Sequence, residues 1–314
     1  MKNMKTLFST LAIVLCFAVH AFGQGFEQLT YPFEMKTVAL ENGTRIAYTE
    51  QAKNDRRTLL FIHGLGSYAP AWKKNIAALA KKYRCVAVDL PGYGKSDKNN
   101  DWAYDMSFFA ATLRDFVLKQ NYGEVVLVGH SMGGQIAMTF AIKYPQLVEK
   151  LVLIAPAGLE TFSEQEGTLL RNFTKPELVA ATPKNKVEEN LKANFVTFPD
   201  EAQFMLDHRL QMMENEDEFQ KYSVAVSKSV AGMLDEPVIE QLGQIRTPTL
   251  ILFGEEDALI PNRYLHAQLK LENLLTKART TFFNVRTKVI PEGGHFVNFE
   301  QAGEVNKAIR KFVR

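Results

Sequence analysis

At 314 residues, with 46% hydrophobic and 23% charged side chains, the chain is long enough to bury a full core. This composition excludes a disordered or collagen-like chain, and no internal repeat is visible. A formal net charge of +2 and a pair of cysteines give no basic face for nucleic acid and no disulfide framework.

The first residues read as a targeting segment. Lys2 and Lys5 precede an apolar run over 7–19, and Ala21-Phe22-Gly23 offers small residues where a signal peptidase cuts. Cleavage near Gly23 would export the protein to the periplasm or the medium and leave no stable membrane span, because the run is short of the roughly 20 residues a spanning helix needs. The competing reading is an uncleaved anchor; a lipoprotein through Cys16 is disfavoured by Leu15 before it. Loss of Lys2 and Lys5 lowers the basic count from 37 to 35, equal to the acidic count, so the mature chain would be neutral. Cys85 then stands alone in an apolar strand-like run, where thiols are usually inert.

Strand-like runs at 33–40 and 44–51 flank the turn Glu41-Asn42-Gly43 and predict an opening hairpin. Continuous apolar runs follow at 58–62, 85–88, 125–128, 151–155, 249–253 and 287–290, as expected of strands covered on both faces. Helical patterns lie between them at 72–83, 106–122, 132–144, 262–278 and 301–313. The alternation predicts an α/β fold, with a mostly parallel, doubly wound sheet of eight strands and an antiparallel edge. From 158 to 245 only helical pattern appears, punctuated by Pro176, Pro183, Pro199 and Pro237. So long an interval is a helical cap inserted after the sixth strand rather than a loop. The core is then 24–157 plus 246–314.

The run 125–128 leads into Gly129-His130-Ser131-Met132-Gly133-Gly134 and then a helix. G-x-S-x-G between strand and helix is the nucleophile elbow of α/β-hydrolases, a turn so tight that a Cβ at either glycine would collide with backbone. Ser131 is the candidate nucleophile, at a helix N-terminus that favours developing negative charge. In this architecture an acid and then a histidine follow the serine in the chain. His295, in Gly293-Gly294-His295, is the candidate base, and Asp257, in Gly254-Glu255-Glu256-Asp257, the candidate acid, with Glu255 and Glu256 as competitors. His130 is read as a packing residue. Two amides must face the oxyanion, and Met132 and Leu65, the latter in His63-Gly64-Leu65-Gly66, are the candidates.

Together with Asp89-Leu90-Pro91-Gly92-Tyr93-Gly94-Lys95-Ser96, these motifs resemble the capped α/β-hydrolase family, which holds esterases, lipases and carbon–carbon bond hydrolases. The resemblance spans nearly all of the mature chain, with a longer stretch than usual between Pro261 and Lys288. Relatives that cleave haloalkanes or epoxides use an aspartate where Ser131 stands, and prolyl aminopeptidases usually show Trp where Met132 stands. No metal-ligand spacing or dinucleotide fingerprint occurs, so neither cofactor nor metal is expected. The expected partner is a small-molecule substrate, an apolar ester, suited to a cap containing Phe162, Phe173, Phe195, Phe198, Phe204, Met205, Met212, Met213 and Phe219. Most of these would instead hold the cap together. Carbon–carbon hydrolysis is the rival chemistry, for which Arg171 or Arg209 could bind an acidic product. A ligand-binding receptor on the same scaffold is the rival class.

Overall fold

The computed structural model describes residues 26–51 and 57–314. The targeting segment and its cleavage position near Gly23 lie outside the described residues.

Strands β1 (Lys36–Ala39), β2 (Arg45–Gln51), β3 (Thr58–Ile62), β4 (Arg84–Val88), β5 (Val125–His130), β6 (Val148–Ile154), β7 (Thr249–Gly254) and β8 (Val285–Ile290) form one sheet in the order β1-β2-β4-β3-β5-β6-β7-β8. β1 and β2 are antiparallel, β2 is antiparallel to β4, and every later pairing is parallel. The opening hairpin is closed by Gly43 at φ +83°, with the Asn42 side chain accepting from the Thr44 amide.

The inner strands are apolar on both faces because both are covered. Leu59, Phe61, Val126 and Val128 pack on α1 (Lys73–Leu79), while Leu60, Ile62, Val125 and Leu127 pack on α2 (Met106–Lys119) and α3 (Met132–Lys143). Successive residues of one strand thus feed opposite layers, as the two-residue strand period requires. The edge differs. On β8, Arg286 and Val289 are exposed and Lys288 is half-buried, the usual protection of an open edge against further pairing.

Between β6 and β7 lie α4 (Glu164–Phe173), α5 (Pro176–Ala180), α6 (Lys184–Lys192), α7 (Gln203–Met212) and α8 (Glu216–Asp235). Their starts are written in side chains. Ser163 and Glu166 form a reciprocal capping box on α4, and Asn215 caps α8, whose first turn carries Glu216, Asp217 and Glu218. Pro176 opens α5 at a position where its missing N–H costs nothing. α8 seats closely on the core because Gly232 has no side chain; a Cβ there would stand 2.5 Å from Asp105 Cα.

The helix expected over 262–278 is shorter. α9 covers only Leu271–Thr281, because Asn262 turns the preceding chain by accepting from the Tyr264 and Leu265 amides. α10 (Val297–Glu300) and α11 (Ala302–Val313) close the chain on the α1 face.

Candidate active site

β5 ends at His130, and the next residue, Ser131, sits at φ +53°, ψ −121° before α3 begins. Few side chains tolerate that backbone, so the surroundings must hold it. The Ser131 amide donates to Ile154 O (3.0 Å), and its carbonyl accepts from Gly134 (2.8 Å) and Ala157 (3.0 Å). A Cβ at Gly129 would fall 2.3 Å from Gly133 O, and one at Gly133 would fall 2.2 Å from Ile62 O. Only glycine lets the elbow, the helix and β3 close on one another.

Asp257 follows β7 and His295 follows β8, at the ends of neighbouring parallel strands where open α/β sheets place their sites. Their loops touch because Gly254 has no side chain; a Cβ there would lie 2.1 Å from Gly293 O. Asp257 Oδ2 lies 3.0 Å from His295 Nδ1, and Asp257 Oδ1 accepts from the amides of Leu259 (2.8 Å) and Ile260 (3.0 Å). Burial alone would raise the Asp257 carboxyl, but the imidazole and the two amides together hold it below the ordinary carboxylate range. Glu255 and Glu256, the competing acids, are exposed and bond through their backbone amides.

The other histidines among the described residues are committed elsewhere. Leu90 N–H donates to His63 Nε2, so His63 Nδ1–H donates to the Gly64 carbonyl; burial lowers this ring to about 4. His130 bonds through Nε2 to the His295 carbonyl (2.9 Å), and its ring packs 4.8 Å from that of His295. Burial and the neighbouring His295 lower it to about 3, which suits packing and not base chemistry. His208 shares a hydrogen bond with Tyr68 Oη (2.8 Å). The elbow and the His63–Gly66 loop are side by side, since a Cβ on Gly64 would stand 3.0 Å from Ser131 Cβ. Among the described residues, no hydrogen bond takes the amide of Leu65 or of Met132. Cys85 is buried and its thiol pushed up to about 12, so it stays a thiol.

Beside this constellation lies a cavity of about 310 Å3, lined from the sheet domain by Leu65, Gly66, Ser67, Tyr68 and Phe296 and otherwise by the helical insertion. It meets the site at Leu65 and at Phe296, the neighbour of His295. Of the nine large apolar residues expected to fill the cap or the pocket, Phe173, Met205 and Phe219 line the cavity. Phe195 instead stacks on Phe296 at 5.2 Å, Phe204 packs on Phe299, and Phe162 stacks on His266. Arg171 is outside, paired with Asp235, whereas Arg209 is in the cavity wall.

Two supports escaped sequence reasoning. Glu300 accepts from the amides of Gly294 (2.8 Å), Val196 (2.8 Å) and Thr197 (3.3 Å), tying the His295 loop to the insertion. The chain separation, about a hundred residues, leaves no local pattern to betray it. His266, in the turn after the acid, is held by Glu160 (Nδ1, 2.5 Å) and Glu166 (Nε2, 3.2 Å) at the root of the insertion. Glu160 also accepts from the Asn262 amide. The Glu160 bond chiefly raises the His266 pKa, with burial opposing and Glu166 assisting. Protonated His266 therefore stabilises the fold fully below its unfolded value near 6.5, and this contribution is lost as pH rises through the higher folded value. The urea midpoint of the wild type is expected to exceed that of His266→Gln at pH 6, with the gap closing by pH 9. A gap independent of pH would count against the ion-pair account.

Residues 57–302 match the family model described as alpha/beta hydrolase fold. The chain is 25% identical over 276 residues to an uncharacterized hydrolase, YugF, of Bacillus subtilis, covering 87% of this chain and 96% of that one. It is 27% identical over 288 residues to a 2-hydroxy-6-oxononadienedioate/2-hydroxy-6-oxononatrienedioate hydrolase of Burkholderia vietnamiensis, covering 88% and 93%. Among solved structures, a probable hydrolytic enzyme of Pseudomonas aeruginosa superposes with TM-score 0.79 at 24% identity, over 93% of this chain and 98% of that one. A bacterial membrane phospholipase A superposes with TM-score 0.69 at 26% identity, over 89% and 85%. With the strand order, the parallel core and a family match running from β3 into α11, the chain belongs to the α/β-hydrolase family.

Proposed function

We propose that the protein is an exported serine hydrolase that cleaves a hydrophobic carboxylic ester through an acyl-enzyme on Ser131. The observation that carries this reading is the 3.0 Å hydrogen bond between Asp257 Oδ2 and His295 Nδ1, which leaves Nε2 as the ring nitrogen available to a base. In this reading His295 Nε2 takes the Ser131 hydroxyl proton as Oγ attacks the ester carbonyl carbon. The carbonyl oxygen becomes an oxyanion facing the amides of Leu65 and Met132. Collapse expels the alcohol, which takes its proton from His295, and water then releases the acid by the same route. Asp257 fixes the base in its Nδ1–H tautomer and stabilises the imidazolium.

The helical insertion acts as the cap that roofs the site, and the apolar part of its wall supports a hydrophobic substrate. Export rests on the basic and apolar pattern of residues 1–23. Labelling with a fluorophosphonate tests the chemistry. The folded wild type is expected to label and Ser131→Ala not to, and a short-chain aryl ester is expected to turn over. A folded wild type that neither labels nor cleaves esters would overturn the reading in favour of a binding protein. Cleavage of a dienol ketone with esters untouched would move it to carbon–carbon hydrolysis.

A further inference from the structure

Arg209 brings the only charge to the described wall of the cavity, and no aspartate or glutamate lines it. Arg209 belongs to none of the ion pairs formed among the described residues. One Nη donates to the Gly66 carbonyl, the guanidinium carbon lies 5.0 Å from the centre of the Tyr222 ring, and Nε is shut off from water with no partner. A guanidinium offers five N–H donors; the Gly66 carbonyl takes one and the Tyr222 hydroxyl pairs with another, which leaves Nε and further donors without an acceptor. A structural clamp on Gly66 accounts for that contact and for the ring. It does not account for a cation left without a counter-charge in a partly buried apolar wall, an arrangement that is costly until an anion arrives.

Resting on the ester-hydrolase reading, we propose that the substrate carries a carboxylate that pairs with Arg209, so that the natural ester is acidic and not merely apolar. Position narrows the class further. Gly66, which Arg209 holds, directly follows Leu65, the residue whose amide is assigned to the oxyanion, and adjacent Cα atoms are about 3.8 Å apart. The carboxylate therefore stands a few bonds from the scissile carbonyl, as in a half-ester of a short dicarboxylic acid or an ester of a small hydroxy acid. The apolar remainder of the wall takes the other half of the molecule. Arginine suits this task because its planar fork matches a carboxylate and stays charged at any working pH.

The test compares charged and neutral partners on each side of the ester. Mono(4-nitrophenyl) glutarate is set against 4-nitrophenyl butyrate for the acyl side, and 3-acetoxybenzoate against phenyl acetate for the alcohol side. The wild type is expected to favour the charged ester in one of the two pairs by about 10- to 100-fold in kcat/KM, the range of a charged hydrogen-bonded pair. Arg209→Gln should bring that ratio close to one, and Arg209→Lys, which keeps the charge, should retain part of it and serves if the glutamine variant does not fold. A ratio near one in both pairs, or one that survives in Arg209→Gln, overturns the proposal while leaving the hydrolase reading intact. Should no ester be cleaved and no fluorophosphonate bind, the hydrolase reading has failed and the pocket is judged by binding alone. Millimolar glutarate is then expected to raise the Tm of the Ser131→Ala chain but not of the Ser131→Ala, Arg209→Gln chain, and an equal response of the two overturns the anion site.

Discussion

Replacing Ser131 by alanine is expected to lower kcat for an activated ester by about 10^4- to 10^6-fold, the scale seen when a nucleophile that works as one unit with its base is removed. The fold should tolerate the change. Ser131 is held through its backbone, by its amide to Ile154 and its carbonyl to Gly134 and Ala157, and alanine keeps all of these. The Tm should therefore stay within a few degrees of wild type, and stopped-flow assays should show no burst of alcohol. A variant that retained more than about a hundredth of the wild-type kcat would remove Ser131 from the mechanism.

The second large effect is expected from Asp257→Asn, a loss of about 10^3- to 10^4-fold in kcat with KM little changed. The geometry gives the reason. Oδ1 accepts from the Leu259 and Ile260 amides, so an asparagine there must keep its carbonyl oxygen in that position. Its NH2 then faces His295 Nδ1, where Oδ2 stood 3.0 Å away, and donates to it. The imidazole is forced into the Nε2–H tautomer, which has no lone pair for the serine proton. Glu255→Gln and Glu256→Gln, on exposed positions of the same turn, should change kcat less than threefold. Steady-state kinetics on the three variants checks the assignment, and a large loss at either glutamate would reverse it.

Much of this was legible before any coordinates, for physical reasons. Strands buried on both faces have no choice but to be apolar throughout, so β3, β5 and β7 announce themselves. Backbone that approaches backbone demands glycine, so Gly129, Gly133 and Gly254 mark the elbow and the acid loop. Asp257 and His295 fall on loops after the neighbouring strands β7 and β8, and Ser131 follows β5 of the same sheet. Other features were not legible. The helix expected from 262 begins only at Leu271, because a single Asn262 side chain outweighs a helical pattern. Which cap side chains face the cavity depends on how short helices settle on the core, so Phe173 and Phe195 look alike in sequence yet only the first lines the cavity. Arg171 and Arg209 were equally plausible until their surroundings separated them. Glu300 and His266 reach partners in the insertion or at its root about a hundred residues away, where no periodicity reaches.

The Glu300 carboxylate has a mechanical meaning. Because it gathers Gly294 of the His295 loop and Val196 and Thr197 of the insertion on two oxygens, the insertion is pinned to the sheet domain beside His295. Lifting the insertion on that side would break three hydrogen bonds and strain the contact between His295 and Asp257. On α4 the exposed Phe173 lines the cavity, while Glu166 of the same helix is tied to His266 and Arg171 to Asp235. In the reading proposed above, Phe173 therefore marks where the cavity wall meets solvent.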